Sequence, residues 1–374
     1  MMNLILIRYA SEVATKGKNR SMFVNALRRN IKDALKRNEI PGNITIEHLR
    51  IYVELENEAD MERTCEVLKH VFGISSFSPV ARIENDLEIM QATALEVARR
   101  ANLGPDVTFR VSSRRSNKQF PLKSPEIDRH VGGFVRTHTD AKLDLYNPEV
   151  TIGVEVGKDD TKIYAQNIRG AAGLPIGTQS RVFVLLSSGI DSIVATWLML
   201  RRGCQVIPVH FTQDPDKAQK VRDLCDQLNK WCYGWKLYPM IIDHHDVMKP
   251  VVEKLKAIRQ ERWACVYCKR AMLNYVCDLA EEHRCEAITM GDSLGQVASQ
   301  TMANMKTISD GCALPILRPV LTYEKEEIIE LARKIGTFDI SIRKEGGCPF
   351  LPQNPITQAS AEKMAKIEAA IDSL

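Results

Sequence analysis

The sequence predicts an α/β protein in which a doubly wound parallel sheet follows two smaller α+β units. Three observations carry this expectation. From Arg181 onward, short apolar strands alternate with helical patterns, the rhythm of βαβ units. Before Arg181 the strands are unevenly spaced and share only a few amphipathic helices. Between the two regimes lies Arg169-Gly170-Ala171-Ala172-Gly173-Leu174-Pro175-Ile176-Gly177, whose Gly and Pro content reads as a linker. The expected units are 1–60, 61–168, a linker over 169–180, and 181–374. A chain of 374 residues suits two or three domains. Its 44% hydrophobic and 26% charged residues exclude a disordered, collagen-like or disulfide-dense protein.

The elements follow in order. Residues 3–7 open the chain as a strand. Residues 21–37 read as a helix, with Phe23, Leu27, Ile31 and Leu35 on one stripe and Arg28, Arg29, Lys32, Lys36 and Arg37 on the other face. Pro41-Gly42 stops it, and strands near 44–47 and 51–55 complete the first unit. The second unit begins with an amphipathic helix over 61–71, ended by Gly73. A strand over 76–83, a helix over 87–100 and a strand over 107–112 follow. A polar loop over 113–118 comes next, then a helix over 126–137, the turn at Asn147-Pro148, and strands over 151–156 and 162–168. In the third unit, strands are expected at 181–186, 205–211, 236–242 and 286–290. Helices are expected at 192–202, 216–233 and 268–283. Parallel sheets bind ligands outside the carboxyl ends of their strands, which directs attention to the loops after Leu186, Phe211 and Met290.

Charge and cysteine usage bound the setting. No apolar run approaches the ~18 residues of a membrane span, and the N-terminal apolar run precedes its basic residues, the reverse of a signal peptide. The expected location is the cytoplasm, where ten cysteines are thiols or metal ligands before they are disulfides. Net charge is only +4, but it is segregated: residues 1–50 are basic, 51–100 acidic and 110–142 basic again. Separated basic patches fit a polyanionic partner, although solvated helix faces produce the same pattern.

The strand ending at Leu186 runs into Ser187-Ser188-Gly189-Ile190-Asp191-Ser192 and directly into a helix. Small residues let a phosphate approach the backbone, and the helix N-terminus aims free N–H groups and partial positive charge at it. Asp191 is a candidate for holding Mg²⁺ beside the phosphates. The same hexamer also suits a plain βα turn with Ser and Asp caps. It is no Walker A loop, since no Gly-Lys-Ser/Thr follows a long Gly-rich stretch. The hexamer resembles the pyrophosphatase loop (PP-loop) of ATP pyrophosphatases, usually written SGGxDS, with Ser188 where the first glycine is usual.

Further segments extend the likeness. RGAAGLPIGTQSRVFVLLSSGIDS, GDSLGQVASQT, LRPVLTYEKEEIIELARKIGT, KGKNRSMFVNALRRNI, RVSSRRSNKQFPLKSPEIDRHVG and YNPEVTIGVEV together resemble the tRNA 4-thiouridine synthetase family over nearly the whole chain. That resemblance implies an N-terminal ferredoxin-like domain, a THUMP RNA-binding domain and a PP-loop ATP pyrophosphatase domain. It also implies ATP and Mg²⁺ as reactants, tRNA as partner, a sulfur donor (sulfide or a persulfide carrier) and a homodimer. Many bacterial members add a C-terminal rhodanese domain. This chain ends about 26 residues after Cys348, so none is expected. By the same resemblance, Leu185, Leu186, Ser187, Gly189, Ser192, His210, Phe211, Lys269, Gly291 and Gln300 contact the nucleotide. Asp191 and Cys348 are the catalytic residues implied, Asp191 orienting ATP and Cys348 receiving sulfur.

Cys265-Val266-Tyr267-Cys268 leaves zinc, iron–sulfur and dithiol chemistry open, and no second CxxC completes a Cys₄ zinc site. The family's bacterial members lack this pair. Archaeal relatives without rhodanese resemble the pattern, and the resemblance then implies Cys265, Cys268 and Cys348 as ligands of an iron–sulfur cluster with one iron free of protein. A persulfide on Cys348, resolved by a second cysteine, is the alternative. The remaining cysteines read as buried thiols. Candidate phosphate contacts for RNA are Arg28, Arg29, Lys32, Arg114, Arg115, Lys118 and Lys123. The expected activity is ATP-dependent sulfur transfer to uridine at tRNA position eight. A non-catalytic tRNA binder with a degenerate PP-loop, or a sulfurtransferase acting on another tRNA uridine or for the thiazole of thiamine, are the alternatives.

Overall fold

The computed structural model describes residues 2–47 and 50–373. Met1, His48, Leu49 and Leu374 lie outside the described residues. The chain divides into two compact units, Met1–Leu174 and Pro175–Leu374.

Among the described residues the first unit holds nine strands: β1 (Leu4–Tyr9), β2 (Gly42–Glu47), β3 (Arg50–Leu55), β4 (Ile74–Ile83), β5 (Thr108–Arg115), β6 (Lys142–Leu143), β7 (Val150–Val156), β8 (Thr161–Tyr164) and β9 (Ile168–Arg169). They run in the order β2-β3-β1-β4-β8-β7-β5-β6, with β9 beside β4. The helix Arg20–Arg37 forms because Phe23, Leu27, Ile31 and Leu35 repeat on one face, and all four are buried. Arg28, Arg29, Lys32 and Lys36 point to solvent. Together with Met61–Leu68 it completes a βαββαβ unit whose strand order, β2-β3-β1-β4, is the ferredoxin-like one. The helices Leu87–Arg100 and Ser124–Thr139 share a second core with Phe109, Val111, Ile152, Val154 and Ile163 of the remaining strands.

The expected division at 60/61 is corrected by strand pairing. β4 pairs with β1 from Leu4↔Val80 to Tyr9↔Ile74, and only its last three residues pair with β8. Residues 61–80 therefore complete the first half of the sheet instead of opening the second. The amphipathic pattern of one helix and one strand says which face is buried, not which neighbour buries it. The first half of the expected linker is also structured. The Gly170 N–H donates to Ser75 O, and the Ala172 N–H to Ile74 O.

The second unit is a five-stranded, wholly parallel sheet of β10 (Arg181–Leu185), β11 (Gln205–Phe211), β12 (Met240–Ile242), β13 (Cys285–Met290) and β14 (Ile316–Leu317), ordered β12-β11-β10-β13-β14. Side chains alternate between faces. Phe183, Leu185, Val209, Ile288 and Met290 join a core with Leu255, Leu273, Val276 and Ile308, while Val182, Val184 and Val206 are buried on the other face. The helix Ile190–Arg201 is buried nearly all round, and Lys325–Lys334 packs on it. The chain leaves β10 toward β11 on one side and later returns to β13 on the other, so the strand order reverses at β10. That reversal opens a crevice at the carboxyl end of β10.

Several element boundaries differ from expectation, and three matter here. The strand expected over 236–242 is confined to Met240–Ile242. The helix carrying Cys265 and Cys268 starts at Ala264 instead of 268, which puts Cys265 in its first turn and Cys268 at the start of its second. β5 runs through Arg115, so Arg114 and Arg115 belong to a strand and not to the loop.

Candidate active site

A cavity of about 370 Å³ occupies the crevice at the carboxyl end of β10. Every nucleotide-binding candidate except Gly189 lines it. Leu185, Leu186, Ser187 and Ser192 come from the β10 turn and the following helix, with Asp191 beside them. His210 and Phe211 come from the end of β11, Lys269 from the helix Ala264–Asp278, and Gly291 and Gln300 from the segment after β13. The structure thus gathers residues spread over more than a hundred positions at one rim.

The turn is held open by its own hydroxyls. Ser192 Oγ accepts from the Ser187 N–H at 3.0 Å and donates to Ser187 O at 3.1 Å. Gly189 is the N-cap of the helix and has no side chain to cap it, which leaves the first-turn N–H groups available to an anion. Gly291 approaches from the other wall. A Cβ there would stand 2.5 Å from Ser192 Cα and 2.6 Å from Ser192 N, so only glycine lets β13 end against the turn. At Gly189, by contrast, a Cβ would meet nothing of the protein nearer than Ser187 Oγ at 3.4 Å.

The walls carry two unpartnered acceptors. His210 is buried, and its Nδ1 contacts Leu186 O at 2.7 Å. The Nδ1 must be the protonated nitrogen to donate to that carbonyl, which leaves Nε2 as a bare acceptor. Nε2 has no partner, nor has Gln300 Oε1. Burial lowers the His210 pKa, opposed by the Leu186 carbonyl and Glu345 and assisted by Lys217, so the ring is neutral. Apolar surface from Leu185, Met272, Met290 and Phe211 surrounds these acceptors. The combination suits a flat heterocycle with an amino group to donate.

The charged end is built from pairs not visible in the sequence pattern. Asp191 Oδ1 accepts from Lys325 Nζ at 2.7 Å, and Oδ2 from Gln296 Nε2 at 3.2 Å. Asp292 is buried and receives Lys269 Nζ at 2.7 Å and Arg318 Nε at 3.0 Å. One carboxylate between two cations leaves net positive charge where phosphates would lie. Lys325 and Arg318 were not among the expected site residues. Both lie in LRPVLTYEKEEIIELARKIGT, a segment read as resemblance without roles, and Lys325 opens a helix as a phosphate-binding lysine can.

The cysteines stand beside this cavity. His244, a cavity-wall residue at the start of the helix His244–Ala257, places Nε2 3.1 Å from Cys268 Sγ. Burial pushes the Cys268 thiol up to about 12 and raises that of Cys265, with the Cys348 sulfur adding to both. Cys348 is exposed and close enough for its charge to be felt by the other two. No group of three or more His, Cys, Asp or Glu is assembled in metal-holding geometry among the described residues. Thiols are the donors that an iron–sulfur cluster uses, so the chemistry of Cys265, Cys268 and Cys348 fits such a group, although their sulfurs are not gathered into a three-ligand site among the described residues. Of the other cysteines, Cys65, Cys204, Cys225, Cys232 and Cys285 are buried, as expected. Cys277 and Cys312 are only half-buried, with their sulfurs 3.3 Å apart.

In the first unit, Arg28, Arg29 and Lys32 line one basic concavity of about 600 Å³ with Lys36. Arg114, Lys118 and Lys123 are exposed. Arg115 is half-buried and its Nη1 donates to Phe120 O at 2.9 Å, which gives it a role in holding its own loop.

Comparison with known proteins decides the family. A model described as "Thiamine biosynthesis protein (ThiI)" matches residues 177–373, the ThiI ferredoxin-like domain matches 4–78, and the THUMP domain matches 84–166. A probable tRNA sulfurtransferase of Thermococcus kodakarensis is 39% identical, covering 99% of this chain and 97% of that protein. The chain belongs to the ThiI family of tRNA sulfurtransferases. A second family member, the probable tRNA sulfurtransferase of Methanocaldococcus jannaschii, is 35% identical over 98% of this chain and 97% of its own length. Among solved structures, a 4-thiouridine synthetase in complex with RNA and bound ATP superposes with a TM-score of 0.90 at 29% identity. It covers 100% of this chain and 95% of that one. The ferredoxin-like match ends at residue 78, inside β4, in agreement with the strand pairing.

Proposed function

We propose that the chain uses ATP to convert uridine at tRNA position eight to 4-thiouridine. The observation that carries this reading is the crevice itself: an uncapped helix N-terminus behind a serine turn, a cationic wall and unpartnered acceptors in one cavity, with Cys268 against its wall residue His244. His210 Nε2 and Gln300 Oε1 accept from the adenine amino group. The helix Ile190–Arg201, Lys325 and Lys269 hold the triphosphate. Asp191, paired with Lys325, is the residue that would hold Mg²⁺, which would supply charge stabilisation to the leaving pyrophosphate.

The reaction has two halves. The uridine O4 attacks the α-phosphorus while N3 loses its proton, and pyrophosphate leaves with the electron pair of the broken P–O bond. A hydrosulfide or a persulfide sulfur then attacks C4, and AMP leaves carrying the former O4. With hydrosulfide, the proton on sulfur moves to N3 and gives the thiocarbonyl. With a persulfide, a second cysteine thiolate attacks Cys348 Sγ, and the bond to the transferred sulfur breaks with its electron pair on that sulfur. N3 then takes up a proton to give the thiocarbonyl, and an external dithiol reductant returns the resulting disulfide to thiols. Adenylylation is required because hydroxide is a poor leaving group and AMP is a good one. Cys348, exposed on its loop, is the residue that brings sulfur. An iron–sulfur cluster, where present, would be held by Cys265, Cys268 and Cys348 and would supply an iron site able to carry sulfide. The high pKa of Cys268 means that its proton must be expelled on metal binding.

The acceptor is read as tRNA because the family's THUMP domain and the basic concavity of Arg28, Arg29 and Lys32 accompany the catalytic unit. A homodimer is part of the same reading. The likeness over nearly the full chain to probable tRNA sulfurtransferases and to an ATP-bound 4-thiouridine synthetase favours the enzyme over a merely RNA-binding PP-loop.

The test is direct. Purified protein, ATP, Mg²⁺ and unmodified tRNA are incubated anaerobically with sulfide, and the digested tRNA is analysed for 4-thiouridine. Pyrophosphate release that depends on tRNA is expected. Its absence would leave only an RNA-binding role. Asp191→Ala should abolish release, and full activity in that variant would remove its assigned role. Anaerobically purified protein should carry about three or four irons, lost in Cys265→Ser by metal analysis. A colourless, iron-free and fully active protein would select the persulfide route.

A further inference from the structure

The segment that carries Cys348 is fastened to one helix by regularly spaced contacts. The helix Pro215–Asn229 presents Lys217, Lys220 and Asp223 at i, i+3 and i+6, on one face. Arg343, Glu345 and Gly347 answer at alternate positions of the segment. Asp223 pairs with Arg343. Lys220 Nζ donates to Arg343 O at 3.0 Å and to Glu345 Oε2 at 3.1 Å. Lys217 Nζ donates to Gly347 O at 3.1 Å. Beyond the cysteine, the Phe350 ring packs edge-on against His244, 5.2 Å between centroids.

Glu345 connects this ladder to the nucleotide site. Its other carboxylate oxygen, Oε1, accepts from Ser188 Oγ at 2.7 Å. Ser188 is buried and stands where the PP-loop motif ordinarily has glycine, which has no hydroxyl to offer. Lys220 is also buried, 6% exposed, so its ammonium depends on Glu345 and one carbonyl for compensation. Both ends of the Cys348 segment are thus tied to the site, one to Ser188, the neighbour of the cavity-wall residue Ser187, and the other to His244 of the wall.

We infer that Glu345 and Lys220 are positioning residues that hold Cys348 in register with the phosphate turn through the Ser188 hydroxyl. Lys220 acts on the sulfur-transfer half of the reaction and not on adenylylation, because it contacts only the Cys348 segment, at Arg343 O and Glu345, and does not line the nucleotide cavity, whereas Glu345 also holds the turn. The inference rests on the sulfurtransferase reading for the role of Cys348, but the ladder itself is independent of it.

The experiment separates the two. In Lys220→Met, tRNA-dependent pyrophosphate release should stay within about twofold of the unsubstituted protein, while 4-thiouridine formation falls by about tenfold or more, the scale of a misplaced reacting group. Unchanged thiouridine formation, or both rates falling together, overturns the inference. A second readout needs no activity. In Lys220→Met, whose segment sequence is unaltered, tryptic cleavage after Arg343 or Lys344 should be several-fold faster. An unchanged cleavage rate overturns the ladder. If the unsubstituted protein releases no pyrophosphate with tRNA, the functional reading falls, while the cleavage result still decides whether the segment is held this way.

Discussion

Two glycines at the site carry different physical demands. At Gly291 a Cβ would lie 2.5 Å from backbone of the turn, so Gly291→Ala must push β13 and the helix Ile190–Arg201 apart. A stability loss of about 1–3 kcal/mol is expected in urea unfolding. Gly189 has room for a Cβ within the protein, so Gly189→Ala should leave the unfolding midpoint unchanged and raise KM for ATP. An unaltered KM would mean that phosphate does not approach this backbone. His210 supplies a pH signature. Burial lowers its pKa below the ordinary 6.5, so the folded state favours the neutral ring. That contribution to stability is complete above about 6.5 and is lost as the pH falls through the lowered value, because the unfolded chain binds the proton first. His210→Gln should flatten the decline in thermal midpoint between pH 7 and pH 5. An identical decline in both proteins would assign it to other groups.

At the level of elements, one helix shows how a single periodic pattern serves two purposes. In Arg20–Arg37 the buried stripe fastens the helix to its sheet, and the opposite face holds Arg28, Arg29 and Lys32 in solvent. Leu27 is fully buried, so Leu27→Ala should cost roughly 2–5 kcal/mol of unfolding free energy. Arg28→Glu with Arg29→Glu should leave stability nearly unchanged and weaken tRNA binding. The slope of log K against log salt should become shallower by about one for each phosphate that is no longer neutralised. An unchanged slope would place the tRNA elsewhere. The helix Ala264–Asp278 makes a similar economy of position. Its first turns carry Cys265, Cys268 and Lys269, while Leu273 and Val276 seat it in the core.

At the scale of the whole chain, the βα rhythm after Arg181, the small-residue turn after Leu186, the strand ends where a ligand site was to be sought and the two faces of Arg20–Arg37 were all determined by the sequence alone. Each is a property of neighbouring residues: periodicity, small side chains at a turn, and apolar runs long enough for one strand. The tertiary structure decided the rest. It assigned residues 61–80 to the first half of the sheet, because pairing register depends on a partner about seventy residues away. It set Lys325 on Asp191 across 134 positions and Glu345 on Ser188 across 157. It also made His244, Asp292 and Arg318 part of the site. An ion pair in a cavity has no local pattern, since its strength comes from exclusion of water by chain segments that meet only after folding.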